Sequence, residues 1–140
     1  MKPFLIITKK TLAIIIAVLI IFLLIVSRVF AVSSVGIDGS TNHNRVMYLE
    51  SLGLLVDDSN VSSKEIVIPE TFDAIYKEYN SLQKKAGFNL IHYKNKTATL
   101  YTYCLGNKKE QAHLIVYKNE IIGGDIADMN VNGGMRALVK

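Results

Sequence analysis

Two glycines and two carboxylates lie close together near residue 125 and are the residues of this sequence best suited to chemistry. Gly123 and Gly124 directly precede Asp125, and Asp128 follows three residues later. Glycines let a ligand approach the backbone closely, and two neighbouring carboxylates can act as a general acid and a general base. A β-bulge or a turn is the structural alternative for the glycine pair. All four residues are therefore candidates for ligand binding, with acid–base catalysis by the two aspartates as an alternative.

Tyrosine side chains are a second candidate for recognition, since the chain has seven of them in 140 residues. Tyr101 and Tyr103 lie on a segment with the composition of a strand. Tyrosine is amphipathic and is enriched in recognition surfaces as well as at the wet edges of cores. We add Tyr101 and Tyr103 to the ligand-binding candidates, with packing on a sheet face as the alternative.

The single cysteine, Cys104, cannot form an intramolecular disulfide. Its apolar and aromatic neighbours favour a small buried side chain, whereas a nucleophilic thiolate needs a nearby base or a helix N-terminus. Only the fold could bring His92 or His113 close to it. These histidines and His43 are dispersed along the chain, so the sequence predicts no metal site. It also predicts no cofactor, because it contains neither a serine hydrolase G-x-S-x-G motif nor a phosphate-binding loop.

Two amphipathic helices are predicted to lie before the candidate site. The first spans 42–52, with Thr41 or Asn42 as the N-cap and Gly53 after its end. The second spans about 70–86, with Pro69 in its first turn and Gly87 as its stop. Its apolar face is predicted to contain Phe72, Ile75, Tyr76, Tyr79, Leu82 and Ala86. Two short strands are predicted between the helices, at 54–56 and 65–68, with a solvated turn at 57–60 that ends the first.

The remainder of the chain has the composition of β-structure. Strands are predicted at 97–105, 111–117 and 120–126, and Lys118-Asn119 reads as a two-residue hairpin turn. Short loops between adjacent strands predict an antiparallel meander, which should pack against the second helix. The predicted fold class is therefore α+β, with two helices on an antiparallel β-meander.

An apolar segment at the N-terminus predicts where this domain resides. Residues 12–26 are apolar without interruption, lysines precede them, and no acidic residue occurs in the first 37 positions. Extended to residue 32, the segment is long enough to cross a bilayer, and the lysines predict a cytoplasmic N-terminus. A secretory signal peptide cleaved after Ala31 is the alternative. The predicted organisation is an anchor at 1–32, a spacer at 33–41 and an extracytoplasmic domain at 42–140.

Charge is distributed unevenly between these parts. The net charge is +4, and four of the 16 basic residues lie before residue 33, which leaves 12 basic against 12 acidic residues in the remainder. The domain is therefore electrically neutral and has no basic surplus for phosphates. The sequence argues against nucleic acid as a partner and predicts contact with the lipid bilayer through residues 12–32.

Several motifs of the chain resemble those of an uncharacterised family, a domain of unknown function in Gram-positive bacteria. Over residues 42 to 135 the resemblance rests on Asn44-Arg45-Val46-x-Tyr48-Leu49-x-Ser51-Leu52-Gly53, Ile68-Pro69-x-x-Phe72-x-x-x-Tyr76-x-x-Tyr79-Asn80-x-Leu82-Gln83, Gly87-Phe88-x-Leu90, Tyr101-Thr102-Tyr103 and Ile122-Gly123-Gly124-Asp125. The resemblance implies a single membrane segment before the domain, and it implies no activity.

These observations together predict a membrane-anchored interaction domain without enzymatic activity. We expect it to bind an envelope protein, a peptide or a small ligand through a sheet face or an exposed strand edge. A small extracytoplasmic enzyme using Asp125 and Asp128, or Cys104, is one alternative. A regulatory subunit of a membrane complex is the other, although the apolar segment lacks a small-xxx-small helix interface.

Overall fold

The structure is a computed structural model that describes residues 15–22, 36–130 and 133–139. The chain divides into two compact units, Met1–Val35 and Gly36–Lys140. In the first unit, residues 15–22 form a helix. No helix among the described residues has both the length and the apolar character needed to cross a membrane. Most of the predicted anchor at 12–32, including the cleavage position after Ala31, lies outside the described residues.

The second unit is an α+β domain with one antiparallel sheet, as the sequence predicts. Its elements are β1 (Ile37–Asp38), α1 (Asn42–Ser51), β2 (Val56–Val67), α2 (Ala74–Lys85), a 3-10 helix (Leu90–Tyr93), β3 (Thr97–Leu105), β4 (Glu110–Tyr117), β5 (Glu120–Asp128) and β6 (Met135–Ala137). The strand order is β1-β5-β4-β3-β2, and β6 also pairs with β5. The predicted meander of β3, β4 and β5 is thereby confirmed.

Two apolar clusters cover opposite faces of this sheet, because side chains alternate along each strand. We call these faces the α1 face and the α2 face. On the α1 face, Leu49 of α1 packs with Tyr103 of β3 and Leu114 of β4. On the α2 face, the second cluster includes Ile115 of β4 and Leu90 of the 3-10 helix.

Helix α1 has the predicted bounds to within one residue. The Thr41 side chain accepts a hydrogen bond from the Asn44 amide at 3.1 Å and is the N-cap. Gly53 has a φ of +83° directly after the C-cap, a backbone conformation that glycine adopts without steric cost.

The prediction for the second helix is right in position and wrong in its start. Helix α2 begins at Ala74 because Asp73 is its N-cap, accepting a hydrogen bond from the Tyr76 amide at 2.7 Å. Pro69 therefore precedes the helix and does not lie in its first turn. Ile75, predicted on the apolar face, is 78% exposed, whereas Asn80 and Gln83 are the buried residues of α2.

Strand β2 replaces the two short strands that the sequence predicts. It runs without a break through the predicted turn at 57–60, and its pairing with β3 shifts register between Asp57 and Ser62. The Asp57 carboxylate accepts a hydrogen bond from the Ser59 amide at 3.1 Å, so the local turn chemistry produces an irregularity within the strand. The predicted spacer at 33–41 is also structured in part, because Ile37 pairs with Ile121 of β5.

The hairpin between β4 and β5 forms at the predicted turn. Lys118 and Asn119 have φ values of +47° and +69°, which matches the type I′ turn of two-residue hairpins. Away from the turn, Val116 of β4 pairs with Ile121 of β5, but the next residue of β4, Ile115, pairs with Gly123. Ile122 of β5 is therefore an extra residue without a partner in register. This β-bulge confirms one of the two structural alternatives for the glycine pair.

Candidate functional site

Three adjoining clefts form a continuous groove on the α2 face of the sheet. A polar cleft of about 430 Å³ shares Lys64, Leu100 and His113 with a central cleft of about 380 Å³. The central cleft in turn shares Tyr76, Tyr79 and Met135 with a cleft of about 490 Å³ along helix α2. We call the three together the His113 groove. Each cleft falls within the size range of small-ligand sites.

A chain of three hydrogen-bonded side chains lies in the central cleft. Asp125 is buried, with 2% of its surface exposed. Its Oδ1 lies 2.9 Å from Nδ1 of His113, and its Oδ2 accepts a hydrogen bond from the Tyr79 hydroxyl at 2.7 Å. Both carboxylate oxygens are thus engaged, which offsets the cost of burying the charge.

The contact with Asp125 determines which imidazole nitrogen is left for a ligand. A carboxylate can only accept hydrogen bonds, so Nδ1 of His113 carries the proton and the imidazole is held in one orientation. Its other nitrogen, Nε2, makes no hydrogen bond to any described residue. The His113 side chain keeps 19% of its surface exposed. His113 can therefore offer Nε2 to a ligand in the groove.

Tyr79 is held in its protonated form by the same arrangement. Burial, and then the neighbouring carboxylate of Asp125, raise the pKa of Tyr79 well above its usual range. An ionised phenol would place a second negative charge beside Asp125 in a site with little water. Tyr79 is therefore a hydrogen-bond donor to Asp125 throughout the physiological range.

Two buried amide side chains fix helix α2, one against the sheet and the other against the 3-10 helix. The Gly124 amide of β5 donates a hydrogen bond to Oε1 of Gln83 at 2.8 Å. The Leu90 amide donates one to Oδ1 of Asn80 at 2.8 Å. Nε2 of Gln83 is buried and has no hydrogen-bond partner within the described parts of the chain. These bonds hold the Tyr79 side of the helix over β5, where Asp125 lies.

The structure separates the four glycine and aspartate candidates. Asp125 lies in the groove, whereas Asp128 is exposed at the end of β5, where its carboxylate accepts a hydrogen bond from the Asn130 amide at 2.9 Å. The two glycines are buried inside β5. A Cβ at Gly123 would lie 3.0 Å from Oε1 of Gln83. The glycines thus make room for neighbouring protein atoms, and the two aspartates do not face one another.

Tyr101 and Tyr103 lie on the opposite, α1 face of the sheet. The Tyr103 hydroxyl accepts a hydrogen bond from Nε of Arg45 at 2.8 Å and donates one to Asn42 at 2.8 Å. The Arg45 guanidinium stacks 3.6 Å from the centre of the Tyr101 ring, and it also donates to the Gly39 carbonyl at 2.7 Å. The two tyrosines surround a buried arginine and contribute nothing to the His113 groove.

Cys104 and the remaining histidines lie apart from the groove. Cys104 is partly buried on β3, pairs in register with Gln111 and lines none of the three clefts. His43 and His92 are exposed. Among the residues that the structure describes, no three histidine, cysteine or acidic side chains are close enough to hold a metal ion.

Sequence analysis singled out Asp125 and missed its partners. The sequence places Tyr79 on the apolar face of the second helix, with an aromatic-lined groove as the alternative, and leaves to the fold whether His113 lies near Cys104 or Asp125. The hairpin turn at 118–119, taken together with a bulge at the glycine pair, is the signal that places His113 opposite Asp125. Lys64 carried no signal, because the break predicted within β2 obscured its alignment with Leu100 of β3.

Comparison with known proteins assigns the chain to a family. No curated protein and no solved structure matches it. The family model described as Domain of unknown function (DUF4830) matches residues 48–126. The match includes Tyr79, His113 and Asp125 and covers more than half of the 140 residues. The resemblance to an uncharacterised family is thereby confirmed, and this chain belongs to the DUF4830 family.

Proposed function

We propose that this chain is a membrane-anchored, extracytoplasmic domain that binds a ligand in the His113 groove. The observation that carries the binding role is the imidazole of His113, which Asp125 orients while Nε2 remains without a partner among the described residues. A polar group that is held rigid and left partly exposed in a cleft is typical of ligand sites. The family label adds no activity, so the argument rests on this geometry.

The proposed anchor is supported by the N-terminal unit itself. The helix at 15–22 carries large apolar side chains that are each 43–63% exposed. Contact with lipid would remove this surface from water. The basic residues before it and the neutral domain after it favour a cytoplasmic N-terminus with the domain outside. We therefore propose residues 1–32 as the anchor, or a cleaved leader, and 42–140 as the exported domain.

A single engineered cysteine tests this topology. Cys104 is the sole cysteine of the sequence, so Cys104→Ala combined with Lys118→Cys leaves one thiol, at the exposed hairpin turn. A membrane-impermeant maleimide should label it in intact cells. Labelling only after lysis would show that the domain is not exported. Retention in the membrane fraction after a carbonate wash distinguishes an anchor from a cleaved leader.

Photo-crosslinking in native membranes tests the groove as the binding site. Met135 and Leu55 are both exposed apolar residues, at 61% and 79%, but only Met135 lines the groove. A photoreactive amino acid at Met135 should give an adduct that is absent at Leu55 and is lost with His113→Gln. Equal adducts at both positions, or an adduct that persists with His113→Gln, would contradict the proposal.

The Asp125–His113 pair also favours a second candidate function, acid–base catalysis. An imidazole oriented by a buried carboxylate is the arrangement of general bases in hydrolases. This candidate uses His113, because Asp128 and Cys104 do not lie in the groove. Hydrolysis of a chromogenic ester panel by the purified chain, abolished by His113→Gln, would favour the enzyme over the binding module.

A further inference from the structure

We propose that the ligand of the His113 groove is a peptide that ends in a free carboxylate beside an apolar C-terminal side chain. This inference rests on the proposed binding function and adds the chemical class of the ligand. It follows from three properties of the groove: the charge at the join between the polar and central clefts, the apolar lining of the central cleft, and the hydrogen-bonding groups of the polar cleft.

The charge at the join favours an anionic group. Lys64 and His113 both line the polar and the central clefts, and Lys64 forms no ion pair within the described residues. Asp125 is the one acidic residue that lines either cleft, and both of its oxygens are already engaged by His113 and Tyr79. A ligand carboxylate placed there would meet an ammonium group without competition from a protein carboxylate.

The central cleft next to this charge is suited to one apolar side chain. Its lining includes the apolar or aromatic side chains of Ile66, Tyr76, Leu100, Ile115 and Met135. Met135 exposes 61% of its surface, and covering such a large apolar side chain is favourable. An apolar C-terminal residue whose carboxylate lies at Lys64 and whose backbone N–H donates to Nε2 of His113 would place its side chain in this cleft.

The polar cleft distinguishes a peptide from a simple fatty acid. Its lining contains the hydroxyls of Ser62 and Thr102 and the amide of Gln111. These groups can both donate and accept hydrogen bonds, as the backbone amides before a C-terminal residue require. An acyl chain offers no such partners and would leave these groups without hydrogen bonds to the ligand.

Methionine methyl signals provide the test, with the full-length chain in zwitterionic lipid nanodiscs. Met135 lies in the groove, whereas Met47 and Met129 have similar exposure, 54% each, and line none of the clefts. The probe is an acetylated Gly-Ser-Ala-Leu peptide with a free carboxylate, and the control is the same peptide with a C-terminal amide. The acid should shift the Met135 signal alone and bind about tenfold more tightly than the amide.

A pair of lysine variants tests the source of this difference. Lys64→Gln should weaken binding of the acid about tenfold and bring it to the level of the amide. Lys84→Gln removes the same charge from an exposed lysine of α2 that lines none of the clefts, and it should leave the affinity unchanged. Equal losses in both variants would show only a general effect of charge and would overturn the proposal.

Other outcomes separate this inference from the function on which it rests. Equal binding of the acid and the amide peptides would overturn carboxylate recognition. A Met135 shift with dodecanoate but with neither peptide would overturn the peptide in favour of an acyl carboxylate. No shift with any probe would overturn the ligand class. In each case the crosslinking comparison of Met135 with Leu55 still decides whether the groove binds a ligand at all.

Discussion

Removal of the Tyr79 hydroxyl should destabilise the domain through Asp125, and the size of the effect follows from the structure. In Tyr79→Phe, Oδ2 of Asp125 loses a 2.7 Å hydrogen bond while the carboxylate remains buried. A hydrogen bond to a charged group contributes about 1.5–3 kcal/mol. For a domain of this size, a loss of that magnitude lowers the midpoint of thermal unfolding by roughly 6–15 °C.

Tyr76 provides a matched control on the same helix. It is half-buried, and its hydroxyl makes no hydrogen bond within the described residues. Tyr76→Phe removes the same atom and should change stability by less than about 0.5 kcal/mol. Thermal unfolding of the full-length chain, followed by circular dichroism in detergent micelles, measures both variants.

A double-mutant cycle isolates the contact between Tyr79 and Asp125. In an Asp125→Leu background the hydroxyl has lost its acceptor, so Tyr79→Phe should then cost almost nothing. If the leucine variant does not fold, Asp125→Asn supplies a neutral acceptor, and the effect of Tyr79→Phe should fall to about 1 kcal/mol. The reasoning is refuted if Tyr79→Phe costs the same in every background or no more than Tyr76→Phe.

Three further predictions concern pH, the buried arginine and the glycines of β5. Folding raises the pKa of Tyr79, so the Tyr79 hydroxyl ionises at a lower pH in the unfolded chain than in the folded one. The free energy of unfolding should therefore fall above about pH 10, by up to about 1.4 kcal/mol per pH unit. Denaturant titrations at pH 9 and 11 should show a smaller fall for Tyr79→Phe than for the unaltered chain. Arg45→Lys should cost about 1–3 kcal/mol in chemical unfolding, because one ammonium cannot stack on Tyr101 and keep both hydrogen bonds of the guanidinium. Gly124→Ala would place a Cβ 2.5 Å from the His113 carbonyl and should lower the thermal midpoint by more than about 5 °C, whereas Gly134→Ala meets nothing within 4 Å and should be neutral.

Local sequence signals predicted most of the fold. The bounds of β3, the hairpin turn at 118–119 and the cap of α1 follow from residue types within a few positions, so a single sequence suffices. The start of α2 was wrong because Pro69 and Asp73 both carry N-terminal signals, and only the observed hydrogen bond to the Tyr76 amide decides between them.

The buried face of α2 could not be read from apolar spacing. Asn80 and Gln83 lie at buried positions, where periodicity analysis expects apolar residues. Their partners are backbone amides of Leu90 and Gly124, which lie 10 and 41 residues away along the chain. A buried polar side chain is favourable only when such a partner exists, and tertiary structure alone supplies it.

The candidate site depends on a shift of one residue that the sequence indicates only through the glycine pair. Without the bulge at Ile122, the hairpin register would pair His113 with Gly124 and would turn Asp125 toward the apolar α1 face. The extra residue moves Asp125 opposite His113 and onto the α2 face. The glycine pair, which the sequence analysis interprets as either a bulge or a ligand site, therefore lies between the bulge at Ile122 and the groove residue Asp125. The bulge occurs where these glycines tolerate close neighbours, and it is the reason that a carboxylate reaches the groove.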